Sequence, residues 1–161
     1  MVRHDLPRLE KVKLTCHSSF IGWATANSFV AGNRSSMDDI ETYLKSDDED
    51  RHRLYLAFNS EQQVVGTVHV EYHGAKAHVG VLTVRADSQS KGIAKNLMNR
   101  ALTDARDRGC AAAVMEVVDT RAGLIAWYSR LGFYDTGERA DMFNELLIEG
   151  HVRMIIMEKS L

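Results

Sequence analysis

The sequence predicts an α/β domain built on one mixed β-sheet. Three observations carry that expectation. The first half holds short alternating apolar segments joined by turns, which read as antiparallel hairpins. "HVGVLTV" (His78 to Val84) then runs through a glycine-bearing turn into an amphipathic helix. "AAAVMEVV" (Ala111 to Val118) follows and is nearly continuous in apolar residues, as in a strand buried on both faces. Strand, helix, strand implies a right-handed crossover and a parallel pair. The expected sheet has six to seven strands with helices on both faces.

Each element has its own signal. "KVKLTC" (Lys11 to Cys16) alternates polar and apolar and reads as a first strand. Phe20, Ile21, Trp23, Ala24 and Phe29 fall near helical spacing, and Gly32 can end that helix. "SSMDDIETYLKS" opens a second helix, with Ser36 three residues before Asp39 in a capping-box pattern. "RLYLAF" (Arg53 to Phe58) and "VVGTVHVEYHG" (Val64 to Gly74) flank the turn "NSEQQ" and read as a hairpin. From Gly92, the apolar residues Ile93, Ala94, Leu97, Met98, Ala101, Leu102 and Ala105 share one helical face, and Gly109 stops that helix. "AGLIAWYSRLG" is a shorter helix closed by Gly132, "FYDTGE" starts another strand, and "HVRMIIMEKSL" is a tail strand.

Composition bounds the function. The chain of 161 residues fits a single domain over 1–161, with 45% hydrophobic and 26% charged residues. A formal net charge of -2 gives no basic footprint for nucleic acid and no anchor for anionic lipid. No apolar run approaches a membrane span of about 20 residues. The start "MVRHDLPRLEK" lacks a signal-peptide core. Cys16 and Cys110 make no disulfide framework, so a reducing, cytoplasmic compartment is expected. A monomer and a homodimer paired through the tail strand both fit the sequence.

The turn "QSKGIA" (Gln89 to Ala94) has two readings on its own, a plain helix start or an anion cradle. Amides at a helix N-terminus lack intrahelical partners, and the helix dipole favours negative charge there. Gly92 removes bulk where an oxygen would approach, and Ser90 and Lys91 add a donor and a charge. Neither the mononucleotide P-loop nor the dinucleotide fingerprint is present.

The wider segment "LTVRADSQSKGIAKNLMNRAL" resembles the acyl-CoA-binding segment of the GNAT superfamily of N-acetyltransferases. Its pattern [QR]-x-x-G-x-[GA] reads here as Gln89, Gly92 and Ala94, and the later aromatic-helix pattern Tyr-x-x-x-Gly-Phe reads as Tyr128, Gly132 and Phe133. The close resemblance spans roughly residues 64–134. It implies that the fourth and fifth strands, His78 to Val84 and Ala111 to Val118, splay apart. The pantetheine arm of acetyl-CoA would bond the backbone of Leu82, Thr83 and Val84. Its pyrophosphate would take the loop at Gln89 and the amides of Ser90, Lys91, Gly92, Ile93, Ala94 and Lys95. The implied reaction is direct attack of a primary amine, on a small molecule or peptide, upon the thioester in a ternary complex. A non-catalytic acyl-CoA-binding sensor or interaction domain is the alternative.

Direct attack needs a base for the amine and an acid for the departing thiolate. Tyr128 matches the family tyrosine, and a phenol of pKa about 10 can protonate a thiolate. Glu116 is the one carboxylate in an otherwise apolar strand, where partial desolvation would raise its pKa. It precedes Tyr128 by twelve residues, the spacing found in the ribosomal-protein acetyltransferases of this family. A glutamate that reaches the surface at the splay is the other reading. Arg121 stands where relatives often carry a cofactor-contacting Asn, and Ala86 stands at a usual proline.

Other groups are weaker candidates. His69, Glu71 and His73 share a strand face, but a fourth metal ligand is not visible. Glu71 or His73 could assist deprotonation. Cys110, at the start of its strand, reads as a core thiol. The acidic run from Asp38 to Asp50 is a solvated surface or an attractor for cationic amines.

Overall fold

The computed structural model describes residues 51–141 and 153–161. The first strand and the two early helices expected from the sequence, with Cys16 and the acidic run, lie outside the described residues. Within them, six strands form one mixed sheet. Strand β1 (His52–Phe58) and β2 (Val64–His73) form the expected hairpin. Asn59 builds its turn, because its side-chain oxygen accepts the amides of Glu61 and Gln63 at 3.0 and 2.9 Å. Strand β3 (Lys76–Val84) returns antiparallel to β2, and β4 (Ala112–Val118) is parallel to β3. Strands β5 (Tyr134–Asp141) and β6 (Arg153–Ser160) complete the order β1-β2-β3-β4-β6-β5.

The crossover from β3 to β4 carries helix α1 (Ile93–Asp107), and helix α2 (Ala122–Arg130) follows β4. The buried face of α1 is Leu97, Met98, Ala101, Leu102 and Ala105, the stripe that the spacing predicts. It packs on β1, β2 and β3. Complete burial of Leu97 and Met98 contributes about 1.5–3 kcal/mol each. Tyr128 of α2 joins the same core cluster, with Ala113, Met115 and Val117 of β4 and Ile155 and Met157 of β6. Odd-numbered residues of β4 therefore face these helices, and even-numbered residues face the other side.

The tail strand lies inside the sheet. It runs between β4 and β5 and is hydrogen-bonded to both. Both edges of β6 are occupied, so it offers no row of open amides to a second copy. No helix among the described residues is long and apolar enough to cross a membrane.

Candidate active site

The parallel pairing of β3 and β4 is short. It holds from Lys76–Ala112 through His78–Val114 and then stops, although β3 continues to Val84 and β4 to Val118. The strands splay, as the resemblance implies. A bulge helps to turn β3 away. Between the pairs Thr67–Thr83 and His69–Gly80, β3 spends one residue more than β2. Val81 absorbs the extra residue in the left-handed region, at φ 49°. Thr67 anchors the bulge from beneath, with its hydroxyl 3.3 Å from the carbonyl oxygen of Val81 and 2.8 Å from the Thr83 hydroxyl.

Leu82, Thr83 and Val84 thus lie beyond the last β3–β4 pair. On their other side β3 still pairs with β2, through Thr83–Thr67 and Val84–Gly66. The edge that faces β4 carries no ladder bonds there. Backbone polar groups on such an edge need partners, and an extended amide-bearing ligand can supply them.

The loop that follows is braced from within. Arg85 makes a two-pronged ion pair with Asp87 at 2.8 and 2.6 Å, and the Ser88 hydroxyl donates to the same carboxylate at 2.8 Å. These bonds hold the Asp87 carboxyl down at about 2. Gln89 donates its side-chain amide to the Val84 carbonyl at 3.1 Å, so it ties the loop to the end of β3. Lys91 folds back on the Asp87 carbonyl at 3.0 Å. Ser90 and Gly92 both sit at positive φ, 61° and 76°, and Gly92 is the N-cap of α1. No side chain caps the helix, and its first ladder bond runs from the Asn96 amide to the Gly92 carbonyl. The amides of Ile93, Ala94 and Lys95 therefore point out of the helix end with no helical acceptor. Ser90, Lys91, Gly92 and Lys95 are exposed, and Ile93 and Ala94 are half-buried. Close packing sets this helix end down on the sheet. A methyl at Gly66 of β2 would lie 3.0 Å from side-chain atoms of Ile93 and Leu97.

The candidate chemical groups come from β4 and α2. Tyr128 is buried, with its ring edge-on to Trp127 at 4.9 Å and to Phe133 at 6.1 Å. Its carbonyl accepts the amides of Leu131 and Phe133, which close α2. Lys159 of β6 fastens that helix end, donating to the Leu131 carbonyl at 2.5 Å. Arg121, half-buried, is the N-cap of α2 at the C-terminal end of β4. Glu116 is exposed, unlike the desolvated carboxylate expected from its apolar neighbours. Its even-numbered position turns it to the face opposite the helices, where the splay opens to solvent. Glu116 and Tyr128 therefore lie on opposite faces of β4.

On the Glu116 side, a cleft of about 480 Å³ runs along the splay. His69, Glu71, His78, Glu138 and Glu158 also line it. Burial is the main cause that pulls His69 down to about 4, and nearby His52, stacked on it at 5.5 Å, adds to the effect. Glu71 is held by His73 at 2.9 Å and by Arg51 at 3.6 Å. Cys110 is buried just before β4, at the end away from the splay. Sequence reasoning missed Thr67, Gly66 and Glu138. A glycine inside the strand-like "VVGTVHV" was a signal of close approach, while nothing local marked the other two.

A splayed parallel pair beside an uncapped helix start is the architecture the sequence motifs imply, and the family comparison agrees. The model of the Acetyltransferase (GNAT) family matches residues 18–133. The chain belongs to this family. N-acetyltransferase 8B of Rattus norvegicus is 31% identical over 106 residues, 62% of this chain and 48% of that protein. The chain thus spans about half the length of that curated relative. Among solved structures, the ribosomal-protein-S18-alanine N-acetyltransferase of Escherichia coli superposes with a TM-score of 0.77 at 16% identity, covering 99% of this chain and 92% of that one. The PaiA N-acetyltransferase of Thermoplasma acidophilum, in complex with coenzyme A, gives 0.75 at 16% identity, covering 100% and 98%. At such identities these likenesses concern the fold.

Proposed function

We propose that the protein transfers an acetyl group from acetyl-CoA to a primary amine by direct attack in a ternary complex. One observation carries the reading: β3–β4 pairing ends at His78–Val114, and the unpaired end of β3 leads through a short loop into an uncapped helix N-terminus. The open β3 edge suits the amides of a pantetheine arm, and the amides from Ser90 to Lys95 suit a pyrophosphate. The coenzyme A complex of the PaiA relative supports the same ligand class.

In this mechanism the neutral amine nitrogen attacks the thioester carbon from the cleft side. Glu116 accepts the ammonium proton, directly or through a water, and frees the lone pair. The tetrahedral intermediate then collapses, the carbon–sulfur bond breaks, the Tyr128 hydroxyl delivers a proton to the departing thiolate, and the nitrogen gives up its second proton to solvent, which reprotonates Tyr128. Placement of Glu116 and Tyr128 on opposite faces of β4 suits this division, with base and nucleophile on one side and acid and leaving group on the other. Arg121, at the mouth of the splay, is a further ligand for the cofactor.

The test is incubation with acetyl-CoA and a panel of small amines, amino acids, polyamines and peptide N-termini, following free thiol. Amine-dependent thiol release is expected, with a product heavier by one acetyl group. Tight acetyl-CoA binding without release for any amine would leave a binding module instead of an enzyme.

A further inference from the structure

We propose, building on the acetyl-transfer reading above, that the preferred acceptor is an aliphatic amine carrying a second cationic group, and that Glu138 holds that second group. Four carboxylates line the cleft: Glu71, Glu116, Glu138 and Glu158. Two are already committed. Glu71 is bonded to His73 and paired with Arg51. Glu158 takes Lys76 at 2.9 Å and the Tyr134 hydroxyl at 3.1 Å. Among the described residues, the side chains of Glu116 and Glu138 have neither an ion pair nor a hydrogen bond.

The positive groups nearby form no ion pair with either carboxylate. Lys76 is bonded to Glu158 and acts on Glu138 only as a weaker charge through space. Arg139 turns its guanidinium onto Asp135, at 2.8 and 2.9 Å, and touches only the main-chain carbonyl of Glu138. His69 is buried and stays neutral at physiological pH. His78 also lines the cleft.

Glu138 reaches the cleft because β5 bulges. Its pairing with β6 jumps from Asp135–Met157 to Arg139–Ile155, so four steps on β5 match two on β6. The surplus residues arch over Ile156. Thr136 pins the arch by donating to the Ile156 carbonyl at 3.0 Å and accepting the Glu138 amide at 3.2 Å. Glu116 stands directly opposite Ile156 on the other flank of β6. The two free carboxylates thus straddle one strand, about 10 Å apart at the backbone, or two inter-strand spacings. Ile156 and Met154 form an apolar floor beside them. A methylene chain suits that floor, one amine suits Glu116 and the thioester, and the other suits Glu138.

The test is calorimetric titration, in the presence of CoA, of straight-chain α,ω-diamines against the monoamine of the same carbon count. The best diamine is expected to bind about fivefold more tightly, the upper range for an exposed ion pair. In E138Q that preference should vanish. A parallel E61Q variant, altered in the distant β1–β2 turn, should keep it. Equal binding of diamine and monoamine, a preference that survives in E138Q, or no amine binding at all would each overturn the proposal. Thiol release is read separately. Equal acetylation of both amine classes with equal binding would preserve acetyl transfer and remove the role of Glu138. Glu138-dependent diamine binding without thiol release would preserve the binding site and remove the catalysis.

Discussion

Replacing Gly66 with alanine should weaken coenzyme A binding although Gly66 lies outside the proposed binding loop. Its new methyl would sit 3.0 Å from Ile93 Cγ2, 3.0 Å from Leu97 Cδ1 and 3.1 Å from the Thr83 carbonyl oxygen. Each distance is several tenths of an ångström inside ordinary contact. The Thr83 carbonyl belongs to a strand paired with β2 and cannot yield easily. Leu97 is fully buried and has little room to turn. The first turn of α1 must therefore rise from the sheet. Overpacking of this size costs about 1–3 kcal/mol. For a chain of this length, that corresponds to a fall in Tm of roughly 2–12 °C. The same movement displaces the amides of Ile93, Ala94 and Lys95. Loss of one hydrogen bond to a charged phosphate oxygen, about 1.5–3 kcal/mol, weakens binding roughly tenfold or more. Thermal denaturation and calorimetric titration with CoA, well below the transition, would measure both effects. Gly80→Ala is the stability control, since a methyl there meets nothing within 4 Å. A Gly66→Ala protein with the Tm and CoA affinity of the parent would refute the coupling of this packing contact to the loop.

Three further outcomes follow from the site. Tyr128→Phe should lower kcat about 100-fold and leave the CoA dissociation constant nearly unchanged, because a general acid acts after binding; steady-state kinetics beside titration would separate the two, and an unchanged kcat would remove Tyr128 from the chemistry. Glu116→Gln should reduce kcat/KM most at moderate pH, where the amine is still protonated and a base is needed; a pH–rate profile matching the parent would assign deprotonation to another group. Stability should fall on acidification because of His69: its folded value, about 4, lies below the ordinary 6.5, so the unfolded chain binds the proton first. The contribution is complete above about pH 6.5 and is lost as the pH falls toward 4, by up to about 1.4 kcal/mol per pH unit. A His69→Gln protein should lose less of its Tm across that window, and a parallel decline would contradict the assignment.

The sequence by itself determined the strand–helix–strand order from His78 to Val118, because hydrophobic periodicity is written locally. The stripe from Leu97 to Ala105, the stop at Gly109 and the apolar run of β4 each needed only neighbouring residues. The loop position of Gln89, the helix start at Gly92 and the helical place of Tyr128 were legible for the same reason, since turns and helix ends depend on short spacings. Tertiary structure decided what depends on partners far along the chain. The insertion of β6 between β4 and β5 was not readable from its own residues. Register on β4 put Glu116 on the open face, so its apolar neighbours did not desolvate it. A two-residue surplus in β5 brought Glu138 over Ile156 and into the same cleft. Side-chain direction in a sheet follows pairing and bulges, and both are set by strands distant in sequence.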